Sequence, residues 1–389
     1  MRICLLPTDT WGVGSYRTLF PGRELERRGH QVFAHLDKQH LARWDPRGGN
    51  IPLAHLYDFT KDGLPGRTFD ADTYVFQRRM EQVSVAAIRQ LRRVGKLVVG
   101  EVDDNYDCLP ENSPGWKTLR QRPDKIRIEW LNEGLRFCDR VTVSTPALAE
   151  HYSRYNDNIR VLPNYLDWTM WQNVQPQHEV ERPRIRVGWM GWLEWRGTDL
   201  EQLRNWIGPW LNRHPNVEFV SVGERHGNAK KLRKVGHVTV HDYLNIPKGQ
   251  RATVKAAPFH DLAKINATID IGLVPLTPGL FNESKSYLKG LEYAACGIPC
   301  VASPTEQYRQ FVREGEDGFL ATTPADWQTH LDELVGDDLL RRRMGAAARA
   351  KAETMTVQKH WRLWEDAWSG STSAQAQTAN PAGSTSTTA

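Results

Sequence analysis

The sequence predicts an α/β fold in which two doubly wound domains face each other across a cleft. Apolar, strand-like segments alternate with helical segments through residue 162, and the same alternation starts again at residue 185. A polar segment with two prolines, VQPQHEVERP, separates the two series and is typical of an interdomain linker. Repeated strand–helix alternation indicates parallel sheets that are covered by helices on both faces. The length of 389 residues is sufficient for two hydrophobic cores.

The first series predicts a domain over residues 1–173. Its strands are expected at 2–7, 31–34, 72–77, 97–102, 140–144 and 159–162. Its helices are expected at 15–28, in the segment that ends at 94, at 124–137 and at 146–155. Ligands of such sheets bind beyond the carboxyl ends of the strands, so functional residues are expected in the loops that follow them.

The second series predicts a domain over residues 184–355, joined by the linker at 174–183. Its strands are expected at 185–190, 217–222, 237–241, 269–274, 299–302 and 318–321, and its main helices at 198–213, 284–296 and 325–334. An amphipathic helix at 356–368, with Trp361, Trp364 and Trp368 on one face, is expected to pack back toward the first domain. The uncharged Ser/Thr-rich tail at 369–389 is expected to be disordered.

Composition excludes some classes of protein. No run of 18 apolar residues is present, so a membrane-spanning helix is not expected. The apolar stretch before Asp9 is too short for a signal peptide. The five cysteines are scattered, which favours reduced thiols and a cytoplasmic location. The net charge of +5 is compatible with an anionic donor or acceptor, and the 15 tryptophans suit a core or a sugar platform.

The segment 281–303, FNESKSYLKGLEYAACGIPCVAS, has the pattern of a phosphate-binding helix. We expect the helix to begin near Ser284, with Ser286 in its first turn and Gly297 at its end. Free backbone amides at a helix N-terminus suit a phosphate group. Lys285 would lie in the first turn, where a cation opposes the helix dipole, so a bound anion would explain it. Lys289 is expected to be an exposed lysine.

Residues 292–303, EYAACGIPCVAS, resemble the hallmark segment of retaining glycosyltransferases of family 4, which have the GT-B fold. This resemblance implies that Glu292 binds the ribose hydroxyls of a nucleotide-sugar donor. The family's first glutamate contacts the donor sugar, and its strict position here is Ser284. Glu283 stands one residue earlier and is the candidate for that catalytic role, with a plain helix-capping acid as the alternative.

The segment 186–200, RVGWMGWLEWRGTDL, resembles the family loop that holds the donor diphosphate. Arg196 matches the position of the family lysine and is expected to bind the diphosphate, with Thr198 as the N-cap of the next helix. Trp192 stands where the family has an arginine, and Lys285 is the candidate substitute. The passage 139–167 resembles the close of the family's first domain, where Asn164 and Asp167 would shape the hinge.

Two further segments point at the predicted cleft. Gly12 and Gly14 follow the first strand, where the resemblance places the backbone close to the donor phosphates. Glu101, Asp103 and Asp104 cluster at the end of the strand at 97–102. Three acids there indicate binding of an acceptor hydroxyl, a general base, a divalent metal or simple capping. Asp103 is the catalytic candidate, and the resemblance implies that no divalent metal is required. Asp270 is expected to be structural.

These observations together predict a glycosyltransferase that moves a sugar from a nucleotide-sugar to an acceptor hydroxyl, and the resemblance to family 4 implies retention of configuration. The donor is expected to be a UDP- or GDP-sugar, with no cofactor. The acceptor is expected to be a glycan, a glycolipid or a protein. Glycosylation of a modified DNA base, sugar-nucleotide epimerisation and non-catalytic sugar or nucleic-acid binding are the alternatives. Basic clusters suit contact with an anionic lipid, a polyanionic glycan or a nucleic acid, with solvated helix faces as the alternative: Arg78, Arg79, Arg89, Arg92, Arg93, Lys96, Arg120, Arg122, Lys125 and Arg127.

Overall fold

The computed structural model describes residues 1–35, 53–54, 71–111, 116, 127–191, 193–224 and 239–370. Within them the chain forms two parallel sheets, each covered by helices, so the predicted fold class is confirmed. We call the first sheet with its helices the N-lobe and the second sheet with its helices the C-lobe. The predicted tail beyond residue 370 lies outside the described residues.

The N-lobe sheet has seven parallel strands in the order β3-β2-β1-β4-β5-β6-β7. They are β1 (Arg2–Leu6), β2 (Gln31–His35), β3 (Leu53–Ala54), β4 (Thr73–Gln77), β5 (Leu97–Val102), β6 (Arg140–Val143) and β7 (Ile159–Val161). Buried β4 and β5 are rich in valine and aromatic residues, as expected for strands covered on both faces. The short β3 was not predicted.

Helices cover this sheet. The chain leaves β1 through α1 (Gly12–Gly14) and a π-helical turn, Ser15–Leu19, before α2 (Phe20–Arg27). The others are α3 (Gln82–Arg93), α4 (Ile128–Phe137) and α5 (Pro146–Tyr152). The side chain of Thr145 caps α5 by accepting a hydrogen bond from the amide of Leu148 at 3.3 Å.

The C-lobe sheet has six parallel strands in the order β10-β9-β8-β11-β12-β13. They are β8 (Ile185–Met190), β9 (Val217–Glu224), β10 (Arg251–Lys255), β11 (Ile271–Val274), β12 (Cys300–Ala302) and β13 (Gly318–Leu320). β10 was not predicted, because its sequence RATVK is charged at both ends and lies at the edge of the sheet.

The helices of the C-lobe and the C-terminal segment follow the same alternation. They are α6 (Leu193–Arg204), α7 (Ile207–Arg213), α8 (Val240–Tyr243), α9 (Leu262–Asn266), α10 (Leu280–Glu283), α11 (Leu288–Ala295), α12 (Glu306–Phe311), α13 (Pro324–Gly336), α14 (Asp338–Thr354), α15 (Val357–His360) and α16 (Arg362–Trp368). A capping box between Thr323 and Asp326 starts α13. None of the helices in the described ranges is long and apolar enough to cross a membrane.

Three predicted elements of the C-lobe are wrong. Residues 240–241 belong to α8 and not to a strand. Thr198 is not an N-cap, since α6 already begins at Leu193. The helix predicted at 284–296 begins only at Leu288, as α11, and residues 284–287 form a non-helical link after α10, which ends at Glu283.

The C-terminal segment returns to the N-lobe. Arg140 donates from Nη1 to the carbonyl oxygens of Asp366 at 2.8 Å and Ala367 at 2.7 Å. The hydroxyl of Thr73 donates to the carbonyl oxygen of Trp368 at 2.7 Å. Trp364 and Trp368 are fully buried, which identifies these tryptophans as core residues and not as a sugar platform.

Each sheet reverses its strand order once, between β1 and β4 in the N-lobe and between β8 and β11 in the C-lobe. The loops that leave the two central strands of a reversal diverge, and a crevice forms at the carboxyl edge of the sheet. The loops after β1 and β11 therefore determine where the candidate site lies.

Candidate functional site

A cavity of about 230 Å³ lies between the two lobes, at the carboxyl ends of their strands. The N-lobe lines it with residues after β1 and β5, and the C-lobe with residues after β11 and on α11. Sequence-predicted residues that line the cavity are Gly12, Asp103, Lys285, Ser286 and Glu292, together with Asp104 and Asn164. The structure thus brings most of the predicted site together from distant parts of the chain.

Glu292 is the buried carboxylate of the C-lobe wall. It lies on the second turn of α11 and is 6% exposed. The hydroxyl of Tyr16, from the N-lobe, donates a hydrogen bond to Glu292 Oε1 at 2.7 Å. Burial raises the pKa of Glu292 to about 7, and the Tyr16 hydrogen bond and the Lys289 charge oppose that rise. Within the described residues, the Glu292 carboxylate accepts one side-chain hydrogen bond, from Tyr16, so its other oxygen can accept hydrogen bonds from a ligand.

Lys289 lies one helical turn before Glu292 and lines the same cavity. Its ammonium group donates to the carbonyl oxygen of Met190 and lies 5.2 Å from the centre of the Trp189 ring. The prediction of an exposed lysine is wrong, because the side chain is half-buried. The i, i+3 spacing to Glu292 is the signal that could have identified it.

The link between α10 and α11 differs most from the prediction. Ser284 is the C-cap of α10, and its hydroxyl donates to the carbonyl oxygen of Leu280 at 2.8 Å. It does not open a helix, and it is not among the residues that line the cavity. From the N-lobe, the Thr145 hydroxyl donates to the Ser284 carbonyl oxygen at 2.9 Å. The predicted N-terminus near Ser284 is wrong, and the helix that carries Glu292 starts at Leu288.

The next two residues of the link are also held by the N-lobe. Lys285 donates to Asp104 Oδ1 at 2.8 Å, and its Nζ lies 3.9 Å from the centre of the Phe281 ring. The Asn164 amide donates to Ser286 Oγ at 2.7 Å. Lys285 therefore does not lie in a first helical turn. An ion pair, and not a helix dipole, fixes its position.

The N-lobe wall contains a half-buried carboxylate, Asp103. The hydroxyl of Tyr106 donates to Asp103 Oδ1 at 2.7 Å, and Arg78 donates to that hydroxyl at 3.0 Å. Burial and the adjacent Asp104 charge raise the pKa of Asp103. A carboxyl group with a raised pKa is suited to accept or deliver a proton. Arg78 has a positive φ of 45°, a strained conformation that is frequent at functional sites.

Glu101, the first acid of this cluster, does not face the cavity. It is fully buried and forms an ion pair with Arg17, with 2.7 Å between Arg17 Nε and Glu101 Oε1. It also accepts a hydrogen bond from the hydroxyl of Thr142. Arg17 lines the cavity and also donates to Asn164 Oδ1 at 3.0 Å. Glu101 therefore positions Arg17.

Two predicted catalytic residues are not brought into this constellation. Glu283 lies outside the cavity lining, and its Oε2 is 3.4 Å from the amide nitrogen of Glu306. Arg196 is part of α6, but its side chain and all of Trp192 lie outside the described residues. Asp199, later in α6, lines the cavity and accepts a hydrogen bond from the Asn282 amide at 2.8 Å.

The two glycines after β1 have different roles. Gly12 lines the cavity, and a Cβ there would meet no atom within 4 Å. At Gly14 a Cβ would lie 1.7 Å from the carbonyl oxygen of Asp9, so glycine is required for packing. The structure therefore offers the backbone of Gly12, and not of Gly14, to a ligand.

Tyr16, Arg17, Lys289 and Asp199 line the cavity but were not predicted from the sequence. Tyr16 and Arg17 lie on a buried helical turn next to apolar residues. The sequence alone therefore gives no sign that they line a cavity. Among the residues that the structure describes, no group of three or more His, Cys, Asp or Glu side chains could hold a metal ion. Arg120, Arg122 and Lys125 of the predicted basic clusters lie outside those residues.

A second cavity, of about 210 Å³, lies at the opposite, amino end of the C-lobe strands. Its charged side chains are ion-paired to each other: Arg182 to Asp270 at 3.3 Å, and Arg342 to Asp338 at 2.7 Å. Asp270 also accepts a hydrogen bond from the amide of Arg186 at 2.8 Å. Asp270 thus ties the linker to the C-lobe sheet and lies far from Glu292 in the fold.

Sequence comparison finds similarity to glycosyltransferases in part of the chain. A family described as "Glycosyl transferase-like" matches residues 201–362. D-inositol 3-phosphate glycosyltransferase from Corynebacterium jeikeium is 30% identical over 177 residues, which span 44% of this chain and 40% of that relative. The matched segment therefore covers less than half of either protein.

Solved structures extend the similarity to nearly the whole chain. HepE from Anabaena in complex with UDP covers 94% of this chain and 99% of its own, with 16% identity and a TM-score of 0.65. Sucrose-phosphate synthase from Thermosynechococcus elongatus covers 94% and 98%, with 15% identity and a TM-score of 0.61. An alpha-glucosyltransferase in complex with UDP-glucose and abasic DNA covers 94% and 98%, with 13% identity and a TM-score of 0.61. The solved structures confirm the GT-B fold over nearly the whole chain, and the match to the glycosyl transferase-like family is limited to residues 201–362.

Proposed function

We propose that this chain, a GT-B protein that matches the glycosyl transferase-like family over residues 201–362, transfers a sugar from a nucleotide-sugar to an acceptor hydroxyl. The donor would be a UDP- or GDP-sugar, held in the cavity between the lobes. UDP is favoured as the first candidate, since similar solved structures contain UDP or UDP-glucose.

The observation that carries this proposal is the pair of Glu292 and Lys289 on one face of α11. A buried carboxylate is a strong acceptor for two hydroxyl donors, and a ribose presents such a diol. An ammonium group one turn away suits the diphosphate that is joined to that ribose. The first turn of α11 at Leu288 also lines the cavity, where its backbone amides favour an anion.

The reaction would proceed mainly through electrostatic stabilisation of the departing diphosphate by Lys289 and Lys285. The resemblance to family 4 implies retention of configuration, with attack from the face that the diphosphate leaves. Asp103 would then bind the acceptor hydroxyl on the N-lobe wall and orient it toward the sugar. Contact between the lobes would exclude water from the cavity and so limit hydrolysis of the donor.

The acceptor proposed here is a glycan, a glycolipid or a protein hydroxyl. The N-lobe wall presents two carboxylates, Asp103 and Asp104, which suit hydroxyl donors better than a phosphate backbone. Glycosylation of a DNA base is the second candidate, because one similar structure contains UDP-glucose together with DNA. Turnover against oligosaccharides, lipid-linked sugars and duplex DNA, each with radiolabelled donor, separates these classes.

The donor site is tested by isothermal titration calorimetry with UDP, GDP and ADP. We expect one of them to bind, and Glu292→Gln to weaken its affinity by about 10- to 100-fold, because a charged acceptor of hydrogen bonds is lost. Glu283→Gln is the matched comparison, and the geometry predicts an unchanged Kd for it. If no nucleotide binds the wild-type protein, or if Glu292→Gln binds as tightly, the proposal is wrong.

A further inference from the structure

Tyr16 joins the two lobes at the candidate donor site. It lies in the π-helical turn after β1, whereas its hydrogen-bond partner Glu292 lies 276 residues later in the C-lobe. Tyr16 is 1% exposed and Glu292 is 6% exposed, so water does not compete for this bond. No other hydrogen bond or ion pair in the described residues joins the carboxylate of Glu292 to the N-lobe.

The Tyr16 ring is clamped by aromatic residues from both lobes. It packs edge-on against Phe20 of the N-lobe, with ring centres 5.2 Å apart, and against Phe259 of the C-lobe, with ring centres 5.8 Å apart. Burial and the Glu292 charge raise the pKa of Tyr16 well above its usual value. Its hydroxyl therefore stays protonated and can only donate to the carboxylate.

The turn that carries Tyr16 is itself rigidly held. All five of its residues are buried, and Arg17, the next residue, is ion-paired with Glu101. Arg17 also donates to Asn164, and Asn164 donates to Ser286 at 2.7 Å in the link before α11. π-helical turns of this kind are frequent at functional sites. Tyr16 thus contacts Glu292 directly, and Arg17 is joined through Asn164 to the segment that leads to Glu292.

From this geometry we propose that Tyr16 is the positioning residue for Glu292, and that the ribose site is complete only when the lobes are in contact. The proposal rests on the proposed function of Glu292 as the ribose-binding carboxylate. The Tyr16 hydroxyl holds Oε1 and so turns Oε2 toward the hydroxyls of the ribose. Donor binding is then coupled to contact between the lobes, since only the closed arrangement orients the carboxylate.

The test separates the hydroxyl of Tyr16 from the bulk of its ring. Tyr16→Phe keeps the ring and its packing against Phe20 and Phe259 but removes the donor. We expect UDP to bind roughly fivefold to tenfold more weakly, the loss for one hydrogen bond. Tyr243→Phe is the matched control, because the Tyr243 hydroxyl donates to Glu201 on the surface of the C-lobe, outside the cavity. We expect its UDP affinity to equal that of the wild type.

A double-mutant cycle decides between positioning and a general structural role. In a Glu292→Gln background, Tyr16→Phe should cause less than a twofold further loss of UDP affinity, because its partner is already altered. A full additional loss in that background would show that Tyr16 acts on the fold and not through Glu292. Phe259→Leu provides a second route, since it loosens the ring clamp without removing the hydroxyl. We expect a smaller loss of affinity that also disappears in the Glu292→Gln background.

The outcomes also distinguish this inference from the proposed function. If UDP binding is lost in Glu292→Gln but Tyr16→Phe binds UDP as tightly as the wild type, the role of Tyr16 is wrong and the donor site stands. If the wild-type protein binds no nucleotide, the donor site is wrong and the positioning role falls with it.

Discussion

Two carboxylates, the buried Glu292 and the half-buried Asp103, face the same cavity from opposite lobes, and they are held in different ways. Glu292 receives its hydrogen bond from Tyr16, which belongs to the other lobe. Asp103 receives its hydrogen bond from Tyr106, three residues along the same segment. The hydrogen bond that holds Glu292 therefore depends on contact between the lobes, whereas the hydrogen bond that holds Asp103 lies within the N-lobe.

The two walls also differ in whether they lie within the part of the chain that matches a family model. The family match covers residues 201–362, which include Glu292 and Lys289 but neither Asp103 nor Tyr106. Under the proposed function, the donor would occupy the C-lobe wall, inside the match, and the acceptor the N-lobe wall, outside it. Mutations on the two walls should therefore have separable effects.

The largest difference between the effect on acceptor turnover and the effect on UDP binding is expected from Asp103→Asn. Loss of the carboxylate that binds and orients the acceptor hydroxyl should lower kcat/KM for the acceptor by about 100-fold. The Kd for UDP should stay within about twofold of the wild-type value, because Asp103 is not part of the proposed ribose or diphosphate contacts. Steady-state kinetics and calorimetry measure the two quantities. A parallel loss of UDP affinity would show that the walls do not act independently.

An effect on stability is expected from Glu292→Gln. Since burial raises the pKa of Glu292 to about 7, the folded protein binds this proton more tightly than the unfolded chain does. The side chain therefore destabilises the fold increasingly as the pH rises from about 4.5 to 7. Glutamine cannot ionise, so the variant should be more stable than the wild type by about 3 kcal/mol at pH 8 and about equally stable below about pH 4.

Urea denaturation at several pH values provides this measurement. Equal stability at pH 8 would show that Tyr16 and Lys289 fully offset the burial of the charge. A gain in stability together with a loss of UDP binding would show that the carboxylate is kept for function.

The smallest of these effects is expected from Lys289→Met. Removing one ammonium group from the diphosphate should weaken UDP binding by about tenfold, while binding of uridine, which has no phosphate, should be unchanged. Methionine retains much of the side-chain volume, so the wall keeps its shape. Equal losses for UDP and uridine would place Lys289 against the nucleoside and not against the diphosphate.

Much of the fold and part of the site could be predicted from the sequence. The alternation of strands and helices predicted both sheets, and the EYAACGIPCVAS segment pointed to Glu292, which lies at the interlobe cavity. These features depend on local apolar periodicity and on residues close together in the chain, which a single sequence displays.

The start of the helix before Glu292 could not be predicted in this way. Ser284 has the composition of an N-cap, but residues 284–286 are held out of a helix by Thr145, Asp104 and Asn164 of the N-lobe. Those contacts join residues more than 120 positions apart, so tertiary structure overrides the local preference. Tyr16 was missed for the same reason, since its only distinguishing feature is a partner in the other lobe.

A crystal structure of the protein with UDP bound tests the central claim most directly. The account predicts that the ribose hydroxyls lie about 3 Å from the Glu292 carboxylate, with the diphosphate next to Lys289 and the Tyr16 hydrogen bond retained. A nucleotide bound at the amino end of the C-lobe strands, beside Arg182 and Asp270, or with its ribose turned away from Glu292, would contradict it.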